Sequence, residues 1–197
     1  ERFAERTPLP VMARGLLEHH LDAPQLDSWF EAVAKKQYTR QLLFSSLYSL
    51  MTQVVFRHQP SVNAAYQSAV EPVGASLTSV YNKLNHLEPA TSAALVQLSA
   101  EKSATLIKAM GAEEASLLPG YRVRVLDGNA LGARDHRLAV TRSSTAAPLP
   151  GKSLNVYEPA VGLITQMIPC EDAYTQERAL LPELLKGVRP GDVWVAD

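Results

Sequence analysis

Apolar side chains recur at helical spacing through the first part of the chain and at alternate positions through the second. Leu43, Leu47, Leu50, Met51, Val54 and Val55 keep the spacing of one helix face, which predicts a helix over 39–56, broken at His58-Gln-Pro60. Leu77, Val80, Tyr81, Leu84 and Leu87 form a second stripe and predict a helix over 75–87, closed by Pro89, with Asn82, Lys83, Asn85 and His86 on its polar face. Shorter helices are predicted over 10–20 and 28–34, joined by a turn at Asp22-Ala-Pro24. A further helix, capped by Thr91, ends with Met110 and Gly111. Between Pro60 and Gly74 the chain reads as a loose connection.

From Tyr121 the period falls to two. Tyr121, Val123, Val125 and Asp127 share one side of a predicted strand that Gly128 ends. Residues 138–141 suggest a short strand, and 142–153, rich in Ser, Thr, Ala, Pro and Gly, an exposed loop. Strands follow at 154–157 and 162–168, with a turn near Glu158-Pro-Ala160. Thr175 caps a helix whose stripe is Leu180, Leu181, Leu184, Leu185 and Val188; Pro182 forces a kink or a restart inside it. The last element is a strand over 192–197. The fold class read from this order is α+β, with an all-α region over 1–118 and a mixed α/β region over 119–197.

A helix crossing between two strands of one sheet makes them parallel. If the final strand lies beside the first, Asp127 and Asp197, each read as the last residue of its strand, emerge at the same carboxyl edge, where open α/β sheets hold ligands. Two carboxylates that close repel each other and call for a cation unless one is protonated. Oxygen-only ligation suits Mg²⁺ or Mn²⁺. Two such ions about 4 Å apart activate an attacking oxygen and stabilise a leaving one at a phosphodiester.

Composition narrows the setting. The 197 residues are 46% hydrophobic and 20% charged, as in globular proteins. The longest uncharged stretch, 41–56, is shorter than the roughly 20 apolar residues of a membrane span and carries Ser45, Ser46, Ser49, Thr52 and Gln53. The start shows no signal-peptide pattern, and the single cysteine, Cys170, excludes an internal disulfide and reads as a buried thiol; a cytoplasmic setting is expected. The formal net charge of −1 gives no overall attraction to nucleic acid, but Lys35, Lys36, Arg40, Arg57 and Lys83 between residues 32 and 85 face only Glu71. The chain opens without Met and stops on a strand-like run, so it is expected to be a fragment.

Several residues carry two readings. The 75–87 helix serves either as the recognition helix of a helix-turn-helix, with Asn82, Lys83 and His86 on DNA, or as an ordinary amphipathic helix. Arg134, His136, Arg137, Arg142 and Lys152 either track a DNA backbone, joined by Asn129, or face solvent. Asp127-Gly-Asn129 on its own is also a common turn sequence. His19-His20 and Asp135-His136 lack partners at zinc spacing, and no phosphate-binding Gly-rich loop is present.

The runs Val123-Arg-Val-Leu-Asp-Gly-Asn129, Leu154-Asn-Val-Tyr-Glu-Pro159, Ile168-Pro-Cys-Glu-Asp172 and Asp192-Val-Trp-Val-Ala-Asp197 resemble the core of bacterial insertion-sequence transposases of the DDE class. The similarity covers about 121–197. It implies the first half of a ribonuclease-H-like domain after a helical DNA-binding region, with Asp127 and Asp197 as two of three metal-binding catalytic carboxylates. It further implies two Mg²⁺ or Mn²⁺ ions per complete site, double-stranded element ends and target DNA as partners, and a homodimer in the synaptic complex. Such a protein is nucleoid-associated when bound to DNA. The family's third acid, a Glu on a later helix, has no counterpart here, so the chain alone is expected to cut nothing. Two other readings stay open, a DNA-binding or assembly protein without catalysis and another ribonuclease-H-like nuclease.

Overall fold

The computed structural model describes residues 15, 21–37, 41–69, 73–131, 151–170, 172 and 174–196. The chain divides into two compact units, Glu1–Thr91 and Ser92–Asp197. The helix predicted over 10–20 and the strand predicted over 138–141 lie almost wholly or wholly outside the described residues.

In the first unit, helix α1 (Ala23–Val33) begins earlier than its apolar pattern suggests, because Asp22 and Pro24 act together as a helix start. The Asp22 carboxylate accepts from the Gln25 amide at 2.8 Å. Helix α2 (Phe44–Val55) begins later than predicted. Its start is fixed by Asp27 of α1, whose carboxylate accepts from the Ser45 amide at 2.8 Å and the Ser45 hydroxyl at 2.7 Å. Phe44 stacks on Phe30 with ring centroids 4.5 Å apart, and Leu26, Phe30, Leu47 and Leu50 are buried with it.

Helix α3 (Val62–Gln67) lies in the stretch read as loose, capped by Ser61 and buried through Ala65. Helix α4 (Leu77–Asn85) is capped by Ser76 and buries Val80. Helix α5 (Pro89–Ala109) starts at Pro89, so Thr91 is a buried residue within it and not its cap. The division between the two units falls on this helix. No helix among the described residues is long and apolar enough to cross a membrane.

The second unit holds a four-stranded mixed sheet of order β3-β2-β1-β4. Strand β1 (Arg122–Leu131) is antiparallel to β2 (Gly151–Glu158), which is antiparallel to β3 (Leu163–Cys170); β4 (Asp192–Val195) runs parallel to β1. Between β3 and β4 the predicted helix is split into a 3-10 turn, Glu177–Ala179, and a short helix α6 (Leu181–Leu185) that restarts with Pro182 in its first turn. Leu154, Val156 and Leu184 form the buried core, with Leu126, Ile168, Leu180, Leu181 and Trp194 packed against them. The crossover thus covers the side of the sheet that carries Leu126. The molecule is α+β, as the order of periodicities predicts.

One expectation needs correction. Gly128 does not end β1: Asp127, Gly128 and Asn129 pair with Asn155, Leu154 and Ser153, and the strand continues to Leu131. The loop predicted over 142–153 also gives up Gly151, Lys152 and Ser153 to β2. Turn chemistry is a local preference, and here the ladder to β2 overrides it.

Candidate functional site

The sheet has two differently built ends. At the start of β1, Arg122 Nε donates to Asp192 Oδ1 at 2.7 Å; its Nη2 lies 2.7 Å from the same oxygen without hydrogen-bond alignment. The Arg189 amide donates to Asp192 Oδ2 at 2.9 Å. The Arg122 guanidinium holds the Asp192 carboxyl below its ordinary range, against an opposing contribution from burial. Arg124 lies 5.2 Å from the Trp194 ring and 4.0 Å from Glu158. This end is an internally neutralised anchor between β1 and β4.

The other end is open. Pairing between β1 and β4 runs from Arg122↔Asp192 to Val125↔Val195, and Asp127 lies two residues beyond it on β1. Alternation puts Asp127 on the side of Val123, Val125 and Asn129, opposite the side that carries Leu126. Asp127 and Asn129 are exposed, and across the ladder stand Asn155 and Ser153, whose side chains hydrogen-bond to each other at 3.1 Å. The tract therefore offers a carboxylate, amide oxygens and a hydroxyl.

Asp127 differs from its acidic neighbours. Asp192 is held by Arg122, Glu158 faces Arg124, Glu177 faces Lys152, Glu183 contacts Lys186, and Asp172 accepts from the Tyr174 amide. Among the described residues the Asp127 carboxylate has no such partner. Its oxygens are of the kind a hard divalent cation takes. Among the described residues no three His, Cys, Asp or Glu side chains converge on one point.

On the opposite side of the same strand, a Cβ added at Gly128 would stand 2.0 Å from Glu177 Oε1. Lys152 Nζ lies 3.3 Å from that oxygen, and the lysine side chain is only 16% exposed. Lys152, expected to track DNA, thus ties the crossover turn to the β1–β2 ladder. Of the other expected residues, Asp197, Arg134, His136, Arg137 and Arg142 lie outside the described residues.

In the first unit, Asn82 is exposed on α4, and its carbonyl accepts from His86 Nδ1 at 2.6 Å. Lys83 turns inward. Its Nζ donates to the Leu42 carbonyl at 2.7 Å and lies 4.9 Å from the centre of the Phe30 ring. Burial pushes its pKa down, with Asp27 opposing. The α4 face read as a DNA surface therefore has its lysine committed to the unit's own packing. Cys170, read as a buried thiol, is half-buried and donates through Sγ to the Asp172 carbonyl at 3.2 Å.

Glu177 was not foreseeable from sequence, because nothing local marks the residue that will lie on Gly128. Asp192, by contrast, follows Pro190-Gly191 directly, and an acid at that strand start is a recognisable partner for an Arg on a parallel neighbour. Compared with known families, curated proteins and solved structures, the chain matches no family model, no curated protein and no solved structure.

Proposed function

We propose that the second unit carries the first part of a ribonuclease-H-like catalytic domain of a DDE-type DNA transposase. In it Asp127 and Asp197 are two of the carboxylates that hold Mg²⁺ or Mn²⁺. The observation that carries this reading is the parallel register of β1 and β4. Val125 pairs with Val195, the last residue of β4, and Asp127 lies two residues beyond that pair on β1, while Asp197, two residues after Val195 in the sequence, lies outside the described residues. The strand order and the Asp127 carboxylate, without a partner among the described residues, support the same reading.

The metal ions would supply activation of the attacking oxygen and stabilisation of the leaving one. The chain's own part is to present oxygen ligands on a rigid strand, with Asn129 and Asn155 beside the acid. Element ends and target DNA are the proposed substrates, with two protomers acting on two ends.

The test is cleavage and strand transfer by the full-length protein on duplex DNA carrying the ends that flank its gene, with Mg²⁺. Asp127→Asn and Asp197→Asn should each lower cleavage about a thousand-fold, the equivalent of roughly 4 kcal/mol of transition-state stabilisation, while DNA binding persists. Full activity in either variant would sink the proposal. Hydrolysis without strand transfer would redirect it to another ribonuclease-H-like nuclease. Binding of the ends without any metal-dependent cutting would leave a DNA-binding or assembly protein.

A further inference from the structure

Asn155 stands directly across the ladder from Asp127, and Ser153 stands across from Asn129. Side chains paired in this way share one face of the sheet, with Cβ atoms about 5 Å apart. On their other flank Asn155 and Ser153 pair with Met167 and Pro169 of β3, whose side chains supply no hydrogen-bond donor. Ser153 is 4% exposed and Asn155 half-buried, while Asp127 is open to solvent.

The ladder thus gives the Asn155 amide two neighbouring acceptors, the Asp127 carboxylate and the Ser153 hydroxyl. A hydrogen bond to the carboxylate would be charge-assisted and roughly twice as strong as one between neutral groups. Yet Asn155 Nδ2 donates to Ser153 Oγ at 3.1 Å, and among the described residues the Asp127 carboxylate accepts no hydrogen bond. Asn155 Oδ1 accepts none among them either. Neighbouring oxygens with no donor between them suit a hard cation better than they suit each other.

We propose that Ser153 is a positioning residue for the Asp127 site: by holding the Asn155 amide it keeps the Asp127 carboxylate free of an internal hydrogen bond and leaves Asn155 Oδ1 beside it as a further oxygen for a divalent cation. The inference rests on the reading of Asp127 as a metal-holding carboxylate. It adds a second oxygen to that reading and gives a reason for the buried serine in β2.

Mn²⁺ binding to the full-length protein, followed by the free-ion signal in electron paramagnetic resonance, tests this without any turnover. Ser153→Ala, which frees the amide to cap Asp127, and Asn155→Ala, which removes the oxygen, should each weaken Mn²⁺ binding about tenfold, the smaller loss expected when a group supporting a metal ligand is removed. The double variant should bind no more weakly than Asn155→Ala alone, because Ser153 acts through Asn155. Asn155→Asp, with a second carboxylate oxygen in that place, should bind more tightly than wild type. Leu154→Ala, between the two residues but on the core side, should leave the affinity unchanged below its unfolding temperature, which separates positioning from a general loosening of the sheet.

A Ser153→Ala protein that binds Mn²⁺ as wild type does would overturn the proposal. So would losses that simply add in the double variant, an Asn155→Asp protein no tighter than wild type, or a Leu154→Ala loss as large as that of Ser153→Ala, which would reduce the serine to a packing role. In each of these cases loss of binding in Asp127→Asn would leave the reading of Asp127 standing. Wild-type protein that binds no Mn²⁺, or an Asp127→Asn protein that binds it equally well, would overturn that reading itself, and this inference with it.

Discussion

Asp192 fixes the start of β4 against β1, and Asp192→Ala tests how much that anchor contributes. Its carboxylate is 2% exposed and accepts from Arg122 Nε at 2.7 Å and from the Arg189 amide at 2.9 Å. Hydrogen bonds with a charged partner contribute about 1.5 to 3 kcal/mol each. Arg122 is 32% exposed, so water replaces part of what is lost, and the lower figure applies. Two such bonds give a loss of about 3 kcal/mol, or roughly 12 °C in Tm for a domain of about 100 residues.

The assay is thermal unfolding followed by Trp194 fluorescence in a Trp29→Phe background, which isolates the sheet. The folded carboxyl of Asp192 titrates below its ordinary range, so its contribution is present above the unfolded pKa of about 3.9 and is lost as pH falls through the folded value. Wild-type and Asp192→Ala curves should therefore differ at neutral pH and converge in acid. A gap under about 1 kcal/mol, or one that persists unchanged in acid, would refute the assignment of Asp192 as an ionised anchor.

Two further predictions concern the sheet. Leu154 is fully buried between the strands and α6, so Leu154→Ala should cost about 3 kcal/mol in urea unfolding, and a loss below about 1 kcal/mol would mean the core lies elsewhere. Gly128→Ala should displace the Glu177 carboxylate and weaken its pair with Lys152, a loss of about 1 kcal/mol or less because Glu177 is 43% exposed. The double-mutant cycle decides that case: in a Glu177→Ala background the same substitution should be neutral or stabilising, and simple additivity would show that the two residues do not compete for space.

Legibility in the sequence followed the range of the interactions concerned. The stripes that predicted helices also named Leu47, Leu50, Val80 and Leu184, all buried. They failed at helix ends, where Leu43 and Val55 keep the spacing but are exposed, because α2 begins at Phe44 and runs out at Val55. The short helix α3 has too few turns to show a period, and its Ser61 cap was the only local mark. That β4 runs parallel to an earlier strand was legible from the order of strands and helix, whereas its place beside β1 was only one of the possibilities that order leaves. Lys83 was not, because the Leu42 carbonyl that captures it is 41 residues away in sequence. Glu177 on Gly128 was hidden for the same reason.

The case for Asp127 turns on why Asp, Gly and Asn stand together inside a strand. Each is disfavoured there, on a scale that spans about 1 kcal/mol, and the ladder to β2 uses only their backbones. A turn would have explained the sequence without function, but β1 runs through it. Gly128 has its own reason, since Glu177 fills the space of a side chain. Asp127 has no structural reason of that kind. Its carboxylate serves neither the core nor the Arg122–Asp192 anchor, and the other described acids of the sheet and crossover already have cationic or amide partners. A residue that costs strand stability and pairs with nothing among the described residues is best accounted for by a ligand it is kept to meet. For that reason the proposed chemistry rests on Asp127, and not on the paired carboxylates of Asp192 or Glu177.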